Sequence, residues 1–204
     1  MQNVKNIIFD FGNIFISIHF SKTKEAFEKL GVRNYDQLFS QHHVTPLFED
    51  LEVGRISPDQ FYEGVRSVAG ISASNEQIQE AWNAMLGDYW LEKVEWLNTI
   101  KNKYQLFLFS NTNKIHYDFF IPEYTRLTGG KNLNDHFVKA YYSHELGLRK
   151  PYPESYQAIL SEQGLLAAET VFIDDTIGNI EGAKAAGLQT IHLPPPQSVL
   201  DLKL

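Results

Sequence analysis

Short apolar runs that lack polar alternation constrain the fold of this chain most. Residues 4–9, 104–109, 138–142 and 170–173 form four such runs, and residues 188–193 form a fifth. Segments with helical periodicity separate the runs. Strands that helices cover on both faces show this pattern. The sequence therefore predicts an α/β fold, in which a doubly wound parallel sheet forms the core.

Composition narrows the class of protein further. The chain has 204 residues, 43% of them hydrophobic, which is enough to bury a core. Its formal charge of −7 argues against a nucleic-acid partner. The absence of cysteine excludes disulfides and thiol chemistry and fits a cytoplasmic location. The apolar stretch at residues 6–20 is too short and too polar to span a membrane, so we expect a soluble monomer or homodimer.

A long insertion separates the first two predicted strands. Residues 17–89 show no strong strand signal and read as consecutive short helices. The expected helix starts are Ser21, Ser57 and Ser74, the last two in capping boxes, and Gly87 is expected to end the third helix. We therefore predict a core domain of residues 1–16 and 90–204, with a small all-helical cap of residues 17–89 inserted into it.

Polar residues follow the predicted strands at the points where ligands collect in a parallel sheet. They are Asp10, Ser110 with Asn111, Lys150 after a short loop, and Asp174 with Asp175. Taken singly, each could be a turn residue, a helix cap or a surface charge. Because all of them should reach one edge of one sheet, the set is a candidate site.

The charges of this set predict its ligands. Three carboxylates close together raise each other's pKa and repel unless a cation lies among them. Oxygen ligands of this kind suit Mg²⁺, which commonly pairs with a substrate phosphate. With Lys150 the dication would balance the carboxylates, and exposed backbone amides would add anion donors. Those amides belong to Phe11, Gly12 and Asn13.

Four motifs resemble those of the haloacid dehalogenase-like (HAD) superfamily. They are IIFDFGN at residues 7–13, FLFSN at 107–111, RKP at 149–151 and FIDDTIGNIEGA at 172–183. The insertion resembles the C1-type helical cap of that superfamily, and the motifs resemble the subgroup that contains α-D-glucose-1-phosphate phosphatases. The resemblance implies an Mg²⁺-dependent phosphatase that acts on a small phosphorylated metabolite such as a sugar 1-phosphate.

The resemblance also implies roles for the residues that handle the phosphoryl group. Asp10 would attack phosphorus and become an aspartyl phosphate, which water then hydrolyses. Ser110 and the Asn111 amide would bind the phosphoryl oxygens. Lys150 would bridge the transferred group and the carboxylate of Asp10.

The same resemblance implies a set of metal ligands. Mg²⁺ would be held by Asp10, the Gly12 carbonyl and Asp175. Asp174 would either bind the metal or hold metal-bound water. Asn179 would orient the loop that carries the acidic pair.

One position departs from the phosphatase pattern. Phosphatases of the superfamily usually carry a second aspartate two residues after the nucleophile, where this chain has Gly12. General acid–base catalysis contributes about 10²- to 10⁴-fold to a rate. Three interpretations stay open: an acidic leaving group such as an anomeric oxygen, a proton donor from the cap (His19, His42 or His43), or weak activity in a protein that mainly binds.

Two other functions stay open on the sequence. The dehalogenases of the superfamily also lack the second aspartate, so a carbon–halogen substrate is one alternative. These enzymes work without a metal, however, and this alternative would not explain the pair Asp174 and Asp175. A non-catalytic protein could instead use the cap for docking. If the chain is a phosphatase, cap residues should choose the substrate. The candidates are Glu49, Asp50, Glu52 and Arg55, while the cap aromatic Trp82 is assigned to packing.

Overall fold

The computed structural model describes residues 3–33, 35–38 and 46–204. The strands are β1 (Asn6–Phe9), β2 (Ile16–Ile18), β3 (Leu86–Tyr89), β4 (Gln105–Ser110), β5 (Lys139–Tyr142), β6 (Thr170–Asp174) and β7 (Gln189–His192). The α-helices are α1 (Phe20–Lys29), α2 (Tyr35–Leu38), α3 (Pro46–Glu52), α4 (Pro58–Ala69), α5 (Asn75–Asn83), α6 (Leu91–Ile100), α7 (Lys114–Leu127), α8 (Ser143–Leu146), α9 (Pro153–Gln163) and α10 (Ile177–Ala185). Short 3₁₀ turns lie at Leu133–His136, Ala167–Glu169 and Val199–Asp201.

The central sheet is parallel, with its strands in the order β5-β4-β1-β6-β7. Along β1, Ile7 and Phe9 pack into one buried cluster, whereas Ile8 packs into another. Helices thus cover both faces of the sheet, which explains why the strand lacks polar alternation. The predicted α/β fold class is confirmed, and each predicted apolar run overlaps one strand of this sheet.

Two helices of the inserted segment begin where their capping boxes predict. The Ser57 hydroxyl accepts from the Gln60 backbone N–H, and the Gln60 side chain accepts from the Ser57 N–H. Ser74 and Gln77 make the same reciprocal pair at the start of α5. Each box satisfies backbone donors that the first helical turn leaves without partners. These two predicted helix starts are confirmed.

The inserted segment is not all-helical, contrary to the sequence prediction. Strands β2 and β3 pair antiparallel, with Ile16 opposite Tyr89. Helix α5 ends at Asn83, so Gly87 does not end it but lies within β3. A Cβ at Gly87 would come within 2.2 Å of the Ser17 hydroxyl, so glycine permits the close approach of the two strands. The predicted domain boundaries fall at this ribbon and stay a prediction.

The predicted cap at Ser21 is wrong. Helix α1 begins at Phe20 with His19 as its N-cap, and no side chain of the described residues caps it. The reason is that the chain enters the helix directly from β2, where the His19 N–H donates to the Met85 carbonyl at 2.8 Å. Within the described ranges, no helix is both long and apolar enough to cross a bilayer.

Candidate active site

Three of the predicted site residues stand at the carboxyl ends of adjacent strands. Asp10 follows β1, Ser110 ends β4 and Asp174 ends β6. Strand β1 lies between the other two, so the three side chains share one edge of the sheet. The Asp10 N–H donates to the Ile173 carbonyl at 2.8 Å, which extends the β1–β6 ladder up to the carboxylate.

Lys150 lies at the centre of this edge. Its ammonium donates to Asp10 and, at 2.9 Å, to Asp174. Its side chain is only 1% exposed and lies over the rings of Phe109 and Phe172, 5.5 and 5.3 Å from their centroids. Burial alone would lower the pKa of Lys150, but the two carboxylates outweigh burial and raise it. The lysine is therefore a permanent cation of the site.

Asn111 holds the backbone of Lys150 in place. Its side-chain Nδ2 donates to the Lys150 carbonyl at 2.9 Å, and its Oδ1 accepts from the Lys150 N–H at 2.9 Å. This reciprocal pair ties the end of β4 to the loop that carries the lysine. The backbone N–H of Asn111 is not part of this reciprocal pair.

The acidic pair after β6 is held by several donors. Asp174 accepts from the Thr176 N–H at 2.7 Å and from the Asn179 side chain at 2.9 Å, in addition to Lys150. Asn179 thus contacts the acidic loop, as the sequence predicts. Asp175 accepts from the Asn13 side chain at 2.9 Å.

The three carboxylates form a compact cluster. One oxygen each from Asp10, Asp174 and Asp175 lies within 4.8 Å of the others. Burial is the largest cause that raises the pKa of Asp10 to about 7; Lys150 opposes the shift, and Asp174 and Asp175 add to it. Burial and Asp174 also raise the pKa of Asp175, against the Asn13 hydrogen bond. One lysine does not balance this charge, and a bound dication would.

One predicted anion donor is not available. The backbone N–H of Asn13 donates to the Ile16 carbonyl at 2.7 Å, within the turn that leads into β2. The prediction that this amide meets a phosphate is therefore wrong. Asn13 adopts a φ of 54°, and its side chain connects the Ile18 N–H to Asp175 instead. Its contribution to the site comes from the side chain.

A cavity of about 540 Å³ opens over this edge. Its floor includes the predicted site residues Asp10, Phe11, Gly12, Asn13, Ser110, Asn111, Lys150 and Asp175. Its other walls include residues that sequence reasoning did not assign to the site, among them Trp82, His116 and Arg149. The RKP motif contained Arg149, but nothing local to the sequence indicates where its side chain points.

His116 and Trp82 form one wall between cap and core. The imidazole stacks on the indole with ring centroids 5.1 Å apart, and its Nδ1 lies 2.8 Å from the Asn83 carbonyl oxygen. A carboxamide oxygen only accepts, so Nδ1 carries the proton. Burial lowers the pKa of His116 to about 3, so the ring is neutral at pH 7.

Among the cap residues proposed to meet a substrate, Glu52 lines the cavity. It faces Arg149, with 2.8 Å between the Glu52 Oε2 and Arg149 Nε atoms. Burial raises the pKa of Glu52, and Arg149 opposes part of that shift. Asp50 and Glu49 pair instead with Arg55 and, like it, are not among the cavity-lining residues of the described chain.

Of the three histidines suggested as proton donors, the described residues include His19 alone. His19 lies beside Gly87 in the ribbon and is not a lining residue of this cavity in the described chain. His42 and His43 lie outside the described residues.

Fold and site together define an α/β protein with an acidic, lysine-centred site at the carboxyl edge of its sheet, below a mainly helical cap. The sequence matches the family model described as haloacid dehalogenase-like hydrolase over residues 4–187. That match covers most of the chain. The chain belongs to the haloacid dehalogenase-like hydrolases.

Known proteins of this family are similar to the chain along its length. A D-ribitol-5-phosphate phosphatase of Bacteroides thetaiotaomicron is 33% identical over 190 residues, covering 93% of this chain and 91% of that protein. A crystal structure of a HAD family enzyme from Bacteroides thetaiotaomicron, in complex with magnesium and inorganic phosphate, has a TM-score of 0.88 at 31% identity and covers 98% of this chain and 100% of that one. A predicted HAD-like family hydrolase of Porphyromonas gingivalis has a TM-score of 0.86 at 28% identity, covering 96% and 93%.

Proposed function

We propose that this protein is an Mg²⁺-dependent phosphomonoester hydrolase that forms an aspartyl phosphate on Asp10. The observation that carries the proposal is a cluster of three carboxylates within 4.8 Å of one another, two of which pair with a fully buried lysine. The relatives support it, since one is a sugar-alcohol phosphatase and another binds magnesium with inorganic phosphate.

The residues present fit an Mg²⁺ ion. Asp10, Asp175 and the Gly12 carbonyl would supply oxygen ligands, and a hard dication with few protein ligands prefers such a set. Asp174 already accepts from Lys150, Thr176 and Asn179, so its proposed role is to hold the loop and any bound water. When bound, Mg²⁺ would neutralise the carboxylates and withdraw charge from the phosphoryl oxygens.

Asp10 performs the chemical step in this proposal. A carboxylate oxygen of Asp10 forms a bond to phosphorus while the bond from phosphorus to the ester oxygen breaks. The electron pair of that bond leaves with the ester oxygen, which then takes a proton from water. Lys150 stabilises the charge on the transferred group, and the Ser110 hydroxyl and Asn111 backbone N–H bind its oxygens. Water then hydrolyses the acyl phosphate and restores Asp10.

The leaving oxygen needs little protonation if its conjugate acid is already acidic. Gly12 has no proton to give, and neutral His116 donates its Nδ1 proton to Asn83. These residues support a hemiacetal leaving oxygen, as in a sugar 1-phosphate. The ribitol-5-phosphate phosphatase instead supports the ester of a primary alcohol. We therefore propose phosphorylated sugars and sugar alcohols as the substrate class, and the glucose-1-phosphate subgroup stays a prediction.

The sequence left two alternative functions open, and the site favours neither. A metal-free haloacid site would have no use for a third carboxylate, and the burial of Asp174 beside Asp10 would be unfavourable there. A purely binding protein would not require the reciprocal pair between Asn111 and the Lys150 backbone, which holds the lysine against Asp10.

A phosphate-release screen tests the proposal. Purified protein is assayed on hexose 1-phosphates, hexose 6-phosphates and pentitol 5-phosphates, with Mg²⁺ or with EDTA. We expect release that requires Mg²⁺ and falls by at least about 10³-fold in Asp10→Asn, because the nucleophile is lost. Halide release from 2-haloacids in EDTA, or equal phosphate release by Asp10→Asn, would contradict the proposal.

A further inference from the structure

An ion pair crosses the seam between cap and core. Glu52 ends helix α3 of the cap, and Arg149 lies in the core loop directly before Lys150. Their Oε2 and Nε atoms are 2.8 Å apart, and their side chains are 25% and 14% exposed. Both side chains line the cavity over the sheet edge. Because Arg149 adjoins Lys150, the pair borders the space where a leaving group would extend.

The pair is close in distance but not satisfied in hydrogen bonding. Glu52 Oε2 and Arg149 Nε are buried atoms without a hydrogen-bond partner among the described residues, although they lie 2.8 Å apart. A buried ion pair contributes little to stability unless its geometry is good. Those two atoms face each other and are closed to solvent, so a ligand in the cavity would meet the exposed remainder of the carboxylate and guanidinium side chains.

The surrounding cap wall is mostly apolar. Its lining residues include Phe20, Phe48, Trp82, Met85 and Leu86. Glu52 and Arg149 thus place a hydrogen-bond acceptor and a donor in a wall that is otherwise apolar. Their charges cancel, so neither charge is left for an ionic leaving group.

We infer that the Glu52–Arg149 pair selects esters whose leaving group is uncharged and carries hydroxyl groups. The inference rests on the proposed function and narrows its substrate class. Hydroxyls donate to the Glu52 carboxylate and accept from the Arg149 guanidinium without disturbing the pair. A leaving group with a carboxylate is repelled by Glu52 and competes with it for Arg149. The pair therefore discriminates against phosphorylated sugar acids.

Matched esters test this selection. Glucose 1-phosphate is compared with glucuronate 1-phosphate, and a pentitol 5-phosphate with the corresponding pentonate 5-phosphate, so that CH₂OH is replaced by COO⁻ in each pair. We expect the wild-type protein to favour the neutral member in kcat/KM. Glu52→Gln should shift that ratio toward the acid by about tenfold or more, as expected when Arg149 gains one charge-assisted hydrogen bond. Arg149→Gln should shift the ratio the other way.

A matched control uses the same substitution at an exposed ion pair. Glu162 pairs with Lys139 on the surface, and Glu162→Gln should leave the ratio of kcat/KM values unchanged. If Glu52→Gln abolishes turnover, thermal-shift binding of the same esters to Asp10→Asn and to Asp10→Asn/Glu52→Gln gives the ratio instead. The same ratio with and without Glu52→Gln would overturn the inference alone. Failure of the wild-type protein to release phosphate from any ester would overturn the proposed function as well.

Discussion

Asp10, Lys150 and Asp174 form a charged group in which each residue depends on the others. Lys150 is 1% exposed and Asp174 is fully buried, so their charges are held by each other rather than by water. Charges of this kind are costly to bury, and removing one partner leaves the rest uncompensated. We therefore attribute the arrangement to the function of the site rather than to the stability of the fold. Asp10 depends on nearby cations to stay deprotonated.

His116 should make the stability of the fold depend on pH. Its pKa is about 3 in the folded protein and 6.5 in its ordinary state, so the unfolded chain alone binds a proton as the pH falls below 6.5. Stability contributed by neutral His116 is thus present above pH 6.5 and is lost toward pH 3. Between pH 7 and pH 5 the wild-type protein should lose about 2 kcal/mol more than His116→Gln.

Urea unfolding of both proteins at the two pH values measures this difference. The other titrating groups are common to both proteins, so they cancel in the comparison. Equal losses of unfolding free energy would show that His116 is not held neutral by burial.

At the scale of elements, the turn after α3 determines how the cap meets the core. Gly54 adopts a φ of +70°, and a Cβ there would come within 2.2 Å of the His144 carbonyl oxygen in α8. Gly54 lies two residues after Glu52, and α8 ends shortly before Arg149. This close backbone contact therefore holds both sides of the seam at which Glu52 and Arg149 meet.

Replacing Gly54 should lower the free energy of unfolding by more than its left-handed backbone conformation alone explains. Gly70 has a similar φ of +64°, but a Cβ there would meet no atom of the described residues within 4 Å, so Gly70→Ala measures the conformational cost by itself. Gly54→Ala should destabilise the protein by about 1–3 kcal/mol more than Gly70→Ala, because the added methyl meets backbone. Denaturant unfolding of both variants measures the difference. Equal losses of unfolding free energy would show that the contact between Gly54 and His144 relaxes to accept the methyl group.

Local signals in the sequence predicted some elements well and others not at all. The capping boxes at Ser57 and Ser74 were predictable because they lie within four consecutive residues. The β2–β3 ribbon was missed because strands of three and four residues carry little periodicity, and their pairing joins Ile16 to Tyr89. Pairing over such a separation leaves no signature in either segment.

The same distinction applies to the candidate site. The acidic residues and Lys150 follow apolar strands, so parallel topology alone predicts that they meet. The contacts of Glu52 with Arg149 and of Trp82 with His116 depend on how the cap packs on the core. A sequence motif does not encode that packing, so the sequence offered Glu52 as one of four cap candidates, and its pairing with Arg149 comes only from the structure.

At the scale of the whole molecule, the residues proposed for chemistry and those proposed for substrate selection lie in two regions of one cavity. The sheet edge carries the charged residues proposed for phosphoryl transfer, and the seam with the cap carries the residues inferred to select the leaving group. The buried cluster of the cap includes Ile115, a residue of helix α7. That helix begins shortly after β4, the strand that ends at Ser110. Packing of the cap is thus continuous with the helix that follows the site.

The central claim is that Asp10 carries the phosphoryl group during turnover. Wild-type protein with Mg²⁺ and a turned-over ester is quenched in acid within the first turnover, and its peptides are analysed by mass spectrometry. We expect the peptide that contains Asp10 to gain the mass of one phosphoryl group. Hydroxylamine should remove this group, as it does from an acyl phosphate, and the Asp10→Asn variant should not carry it. Phosphate release without a label on Asp10, or a label on another residue, would contradict the account.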